Sequence, residues 1–212
     1  MDITYTEVTA PELAFDTLAI RNSGHEDRAV GLHMTDIIRY VEEHVLKSRP
    51  PQANWGDWAV SGDVGFWLED ALARGMAMQK VVGIREEALL RPGGLYVDWG
   101  EGIGRVYFTP DGYDMDSRSD WECKATWKSI AKNPPENIWY WQTQWKAYCM
   151  GLREWGLGTH TTKFTALYVC GDYKPTRPRL LRGECHYTQE ELDRCWVMLM
   201  GAARTMIERG VV

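Results

Sequence analysis

Between Thr35 and Ser48 the apolar residues Ile37, Ile38, Val41 and Val45 recur at the spacing of one helical face, which predicts a helix with Thr35 as its N-cap. The segment from Arg49 to Asn54, with two consecutive prolines, ends it. A second helical pattern runs from about Val64 to Gln79 through Leu68, Leu72 and Met76 and carries Glu69. The period then changes. Gly94 to Trp99 and Ile103 to Thr109 read as short strands joined by the turn residues Gly100-Glu101-Gly102, and Pro110-Asp111-Gly112 supplies further turn chemistry. From Trp121 to Thr126 polar and apolar side chains alternate, so Glu122 and Lys124 fall on one face of a predicted strand.

Pro134-Pro135 precedes a long helical pattern from about Asn137 to Trp155, with Trp141, Gln144, Trp145, Tyr148 and Leu152. Thr162 to Val169 and Arg179 to Tyr187 read as two paired strands. The last helix opens on the capping box Thr188-Gln189-Glu190-Glu191 and ends at Gly210. Helices, strands, helix, strands, helix in that order predict an α/β (α+β) domain with helices packed around one central sheet.

The chain has 212 residues, 44% of them apolar, which suits a single domain over 1–212 with a full core. No stretch approaches the run of roughly 20 apolar residues that spans a bilayer, and Met1 to Thr9 mixes charges with β-branched side chains, unlike a signal sequence. A soluble intracellular protein without a membrane partner is the expectation. Five cysteines, Cys123, Cys149, Cys170, Cys185 and Cys195, contain no CxxC pair and read as reduced thiols; an iron–sulfur cluster on Cys170, Cys185 and Cys195 gets little support from their spacing. The net charge of −6 argues against a protein that stores nucleic acid, but not against an enzyme whose carboxylates hold divalent cations.

Asp111 and Glu122 are separated by enough chain to turn around and meet on neighbouring strands. Two such carboxylates are the hard oxygen ligands that Mg²⁺ takes, with Mn²⁺ as a substitute, and the main-chain carbonyl of Cys123 can complete the set. Lys124, on the Glu122 face, can orient a nucleophilic hydroxide or neutralise charge developing on a phosphate. Asp114 is the second choice for the Asp111 position. Each piece alone has a plainer reading: a turn for Asp111, an exposed ion pair for Glu122 and Lys124, the polar edge of a helix for Glu69. Of the 11 tryptophans, Trp139, Trp141, Trp145 and Trp155 fall at helical spacings and read as core or interface, whereas Trp127 beside Lys128 is best placed to meet DNA, with packing as its alternative. His25, His33 and His160 have no partner at ligand spacing.

Pro110-Asp111-Gly112 and Glu122-Cys123-Lys124 together resemble the paired motifs of the PD-(D/E)xK nuclease superfamily, and within it the phage lambda-type exonucleases and the RecB-type nuclease domains. Gln144-Trp145-Lys146-Ala147-Tyr148 is similar to the QxxxY element of that group, and Trp67-Leu68-Glu69-Asp70-Ala71 to the helix that brings its first acid. Arg28 to Asp36 resembles the segment in which an arginine and hydroxyl residues grip a terminal phosphate, here Arg28 and Thr35, although His33 stands where a hydroxyl residue is frequent.

The resemblance implies a restriction-endonuclease-like core and a metal-dependent deoxyribonuclease, an exonuclease on the free ends of double-stranded DNA. In it Asp111 and Glu122 hold the metal, Lys124 assists catalysis, Gln144 and Tyr148 face the site, and Glu69 serves an outer position or a second metal. It further implies phage or prophage recombination in a bacterial cytoplasm, a single-strand annealing partner and a ring-shaped homotrimer. Two rivals stand beside it: a structure-selective or nonspecific endonuclease on the same residues, and a non-catalytic DNA-binding or virion-assembly module on the same fold.

Overall fold

The computed structural model describes residues 1–8, 31–48, 81–82, 95–114, 116–169 and 178–211. The segment holding Arg28, the helical pattern with Glu69, and His25 and Cys170 lie outside these residues.

Among the described residues nine strands fall into two sheets. The larger runs in the order β1 (Asp2–Val8), β9 (Arg179–His186), β8 (Thr161–Tyr168), β7 (Ser119–Thr126), β6 (Gly112–Asp114), β3 (Val81–Val82). All its pairings are antiparallel except β7 with β8, so the sheet is mixed. The smaller holds β2 (Leu32–His33), β5 (Arg105–Tyr107) and β4 (Tyr96–Asp98). The expectation of one sheet is thereby corrected: the β4–β5 hairpin turns over Gly100 to Gly104 as its glycines predict, but pairs with β2 and not with β7. The molecule is a mixed α/β protein whose mixed sheet is flanked by helices.

β7 and β8 run parallel, so the chain between them must cross over, and it does so through α2 (Trp139–Glu154), entered by the 3₁₀ turn Pro135–Asn137. Trp145 of α2 is fully buried and stacks on Phe164 of β8 at 4.9 Å between ring centroids. Trp141, Cys149 and Met150 join it over Ala166, Tyr168, Leu181 and Cys185, which seats α2 on one face of the sheet. Trp155 donates its indole N–H to the Tyr96 carbonyl at 2.7 Å. Trp141 and Trp145 are core, and Trp139 and Trp155 are partly buried and pack against the second core.

A second core lies between α1 (Met34–Tyr40), the small sheet, α2 and α3 (Gln189–Glu208), built from Met34, Ile37, Ile38, Phe108, Tyr148, Leu152, Leu199 and Ala203. Gly151 lets α2 approach here: a Cβ on it would lie 2.7 Å from the Phe108 ring. α3 opens on the predicted capping box, with Thr188 and Glu191 each accepting a hydrogen bond from the other's main-chain N–H.

α1 starts one residue before the predicted cap. β2 holds the backbone extended through His33, which becomes the N-cap at φ −108° and ψ 145° with no capping hydrogen bond from its side chain, and Thr35 is the second helical residue. A π-helical turn, Val41–Val45, continues α1.

Candidate functional site

Strand parity builds the site. On β7, Asp120, Glu122 and Lys124 share one face, while Trp121, Cys123 and Ala125 point to the other, where Trp121 and Cys123 pack with Leu167 and Leu180. The pairing Asp120↔Thr162 and Glu122↔Phe164 puts the three charged residues on the face that α2 covers. Such burial of Glu122 and Asp120, both 0% exposed, overturns the plain reading of Glu122 and Lys124 as an exposed pair.

Asp111 reaches Glu122 by another route than the sequence suggests. The strand before it, β5, belongs to the small sheet. β6 follows Asp111 directly and pairs antiparallel with β7, Gly112 opposite Trp121, so Pro110-Asp111-Gly112 leads into a strand and does not turn one. Two hydrogen bonds fix the result: the Asp111 N–H donates to Glu122 Oε1 at 3.3 Å, and the Cys123 N–H donates to Asp111 Oδ2 at 2.7 Å. Lys124 Nζ contacts Glu122 Oε2 and stands 3.9 Å from Asp111 Oδ2, so one ammonium lies between two carboxylates.

Asp114 belongs to the opposite face. It pairs with Ser119, its Oδ2 takes Lys163 Nζ at 2.7 Å, and its Oδ1 accepts the N–H groups of Asp116 at 3.0 Å and Ser117 at 3.2 Å. Burial works against the ionised form, but Lys163 and Ser117 outweigh it and hold the Asp114 carboxyl at about 2. Asp114 is thus a structural acid that closes the β6–β7 turn.

Tyr148 and Gln144 lie one turn apart on α2, both buried, with Gln144 Nε2 donating to the Tyr148 hydroxyl at 2.9 Å. Burial, and after it the Glu122 carboxylate, push the Tyr148 phenol well above its ordinary range, and Tyr148 is among the groups that act on Lys124. The helix therefore brings the tyrosine within electrostatic reach of the ion pair. Trp127 is 47% exposed just past the end of β7, and the Lys128 N–H beside it donates to Thr126 Oγ1 at 3.2 Å. Exposure rises along the strand, from Asp120 and Glu122 in the interior to Lys124, then Trp127 and Lys128 at the surface.

Burial and the crowding of acids favour the neutral carboxyls at this place. Burial, and then Asp111, raise the Glu122 carboxyl well above the usual range; Lys124 opposes them. Burial raises Asp120 to about 8 against the pull of the Thr162 hydroxyl, which donates to its Oδ2 at 2.9 Å. Burial also works against the Lys124 ammonium, but Glu122 and Asp111 outweigh it and keep it protonated well beyond the ordinary lysine value. Three acids face one lysine.

Asp120 is the residue that sequence reasoning missed. The predicted strand begins at Trp121, two positions after the observed start, and the same alternation that selects Glu122 and Lys124 selects Asp120 once the strand starts at Ser119. Thr162, its partner, also contacts Cys149 Sγ at 3.3 Å on α2.

Hard oxygen donors from Asp111 and Glu122, converging on one positive group, suit a small divalent cation, with the ammonium marking where positive charge is accepted. Among the described residues no three His, Cys, Asp or Glu side chains gather as a metal-holding group. Cys185 and Cys195 are free thiols in separate places, Cys185 3.9 Å from Gln142 Nε2 and Cys195 3.6 Å from the Thr143 carbonyl. Two of the histidines have local partners: the His33 ring lies 5.5 Å from Tyr107, and His160 Nδ1 lies 3.3 Å from the Tyr187 carbonyl. Among the described residues no helix is long and apolar enough to cross a membrane. The residues carry the functional reading by themselves, since no family model, curated protein or solved structure matches this chain.

Proposed function

We propose that the chain is a metal-dependent deoxyribonuclease of PD-(D/E)xK type on a restriction-endonuclease-like core, with Asp111, Glu122 and Lys124 at its centre. The observation that carries the reading is the meeting of two carboxylates on one cationic group, produced by strand pairing between residues distant in the chain. Asp111 and Glu122 hold Mg²⁺, or Mn²⁺ in its place, and the Cys123 carbonyl, on the same strand position as the N–H that Asp111 binds, is the candidate neutral ligand. The bound cation supplies a polarised phosphoryl oxygen and a water of lowered pKa.

Lys124, beside both acids, would neutralise charge developing on the phosphate as the bond to the leaving oxygen breaks. Exposed Trp127 and Lys128, just past the end of β7, would meet a DNA backbone, while Tyr148 and Gln144, both buried on α2, would act on the ion pair from inside. Free duplex ends as the preferred substrate, a setting in phage-type recombination, a single-strand annealing partner and a homotrimer follow from the motif resemblance, as does an outer role for Glu69 and a phosphate grip by Arg28. Thr35, inside the first turn of α1 and not at its cap, gives the phosphate grip less support than the sequence does.

The test is incubation of the purified protein with linear and covalently closed circular duplex DNA, with Mg²⁺ or with EDTA. Loss of linear DNA alone, abolished by EDTA and by Lys124→Met, is the expected result. Cleavage of the circle replaces the exonuclease by an endonuclease, and binding without cleavage leaves a non-catalytic module.

A further inference from the structure

The small sheet turns one face to the core and the other away from it. Leu32, Val97 and Val106, paired across its strands, are buried, so the alternate positions His33, Tyr107, Arg105, Tyr96 and Asp98 share the outer face. The register sets rings side by side there, His33 opposite Tyr107 and Tyr107 opposite Tyr96. Ring centroids are 5.5 Å apart for His33 and Tyr107, 6.1 Å for Tyr107 and Tyr96, and 5.9 Å for Tyr96 and Trp155 at the end of α2. All these rings are half-buried, in one row across the sheet. Exposed Arg105 lies over the Tyr96 ring, its Cζ 4.5 Å from the centroid, so the face of that ring takes a flat charged group. Gly31, at φ +144°, passes beside Tyr107, where a Cβ would lie 2.9 Å from the ring.

Sheet packing alone asks for no more than the cross-strand pair of Tyr96 and Tyr107. A row of half-exposed aromatic rings with a guanidinium stacked on it is the surface on which successive unpaired bases stack, the rings taking bases and the cation a phosphate. We propose that the outer face of the small sheet binds a single strand of DNA by stacking on His33, Tyr107 and Tyr96, with Arg105 against its backbone. The choice of DNA as the strand rests on the nuclease reading. The course of the chain supports the pairing of the two sites: β5 carries Arg105 and Tyr107 and continues through Phe108 to Asp111, so the row ends within about 14 Å of that acid. Phe108, between them, packs on Tyr148 at 5.9 Å between centroids. A strand lying on the row is thus led towards the acids already separated from its complement. Asp98, the acid opposite Arg105, is taken up by the hairpin turn, its Oδ1 accepting the Gly100 N–H at 2.9 Å.

The test is fluorescence anisotropy of a labelled oligo-dT strand, in EDTA so that no cleavage intervenes, with wild type, Tyr107→Leu, Tyr96→Leu and Arg105→Gln, and a thermal melt of each. Wild type binds the strand, and either leucine variant binds it about tenfold more weakly. Arg105→Gln, a change at an exposed side chain, lowers the slope of log affinity against log salt by roughly 0.7. A wild type that does not bind oligo-dT, or leucine variants that melt lower yet bind as wild type does, make the row a packing feature and overturn the proposal. Tighter binding of oligo-U than of oligo-dT assigns the face to RNA and overturns it too. Should the leucine variants not fold, the Arg105→Gln slope decides, and an unchanged slope overturns the proposal. Digestion of linear duplex with Mg²⁺ separates the two readings. A protein that binds oligo-dT through the row but cleaves nothing keeps the surface and loses the nuclease, and one that cleaves while the variants bind unchanged keeps the nuclease and loses the surface.

Discussion

Removing the Lys124 charge is the sharpest probe of the site, because its effect on folding follows from the structure whatever the protein does. Glu122 is 0% exposed and Lys124 is its contact partner, with the Lys124 side chain only 13% exposed. Taking away one partner of such a pair costs roughly 3–5 kcal/mol when the other stays charged. Glu122 can escape by taking a proton. Burial and Asp111 already raise its folded pKa above the unfolded value near 4.5, and loss of Lys124 raises it further. A raised folded pKa gives stability that is complete below the unfolded pKa and lost as pH rises through the folded one.

The penalty of Lys124→Met is therefore small in acid, where Glu122 is neutral in both states, and grows with pH. We expect about 1 kcal/mol at pH 5 and about 3 kcal/mol at pH 8. Methionine keeps most of the stem, so the lost charge dominates. Urea unfolding of both proteins at the two pH values measures the difference, and saturating Mg²⁺ should shrink it if the cation takes the lysine's place. A loss within about 0.5 kcal/mol at both pH values is the behaviour of a surface pair and would refute the reasoning.

Asp114→Asn removes the Lys163 ion pair and weakens the β6–β7 turn, at a cost of about 1–2 kcal/mol at neutral pH. Because the folded Asp114 titrates at about 2, below its unfolded value of 3.8, that contribution is present above pH 4 and fades as pH falls through 2; melts at pH 7 and pH 2 check it. The same variant keeps Mn²⁺ binding, whereas Asp111→Asn loses it, and the reverse pattern would exchange their roles. Gly151→Ala forces a Cβ into the Phe108 ring, listing α2 away from the small sheet, and should destabilise by about 1–3 kcal/mol in urea unfolding; a neutral result would mean that the ring moves freely. Thr188→Ala opens the capping box of α3 and should cost about 1 kcal/mol by the same measurement.

What the sequence discloses and what it hides divide by range. α2, α3 with its cap, the β4–β5 hairpin and the β8–β9 pair were legible because each is written in local periodicity or in a turn. β1 was not: its partner β9 lies at the other end of the described chain, and nothing near Asp2–Val8 announces the pairing. β6 is three residues long and hidden within what reads as a turn. The residues of the Asp111, Glu122 and Lys124 centre were legible, but the way Asp111 arrives was not, since β5 carries the stronger strand signal and goes to another sheet. Burial of the ion pair was equally out of reach, because it depends on α2 crossing over that face of β7.

The alternation along β7 also sets which insertions and deletions the chain tolerates. Asp111 and Glu122 are held by strand pairing on one side of the turn at residues 116–118, so a residue added in that turn lengthens a surface connection and leaves the pair in register. One residue added between Trp121 and Glu122 does something else. It rotates every later position by half a period, sending Glu122 and Lys124 to the side of Leu167 and Leu180 and bringing Cys123 under α2. Within the β6–β7 hairpin the turn is therefore the place that accommodates an added residue, and β7 accepts substitution but not insertion.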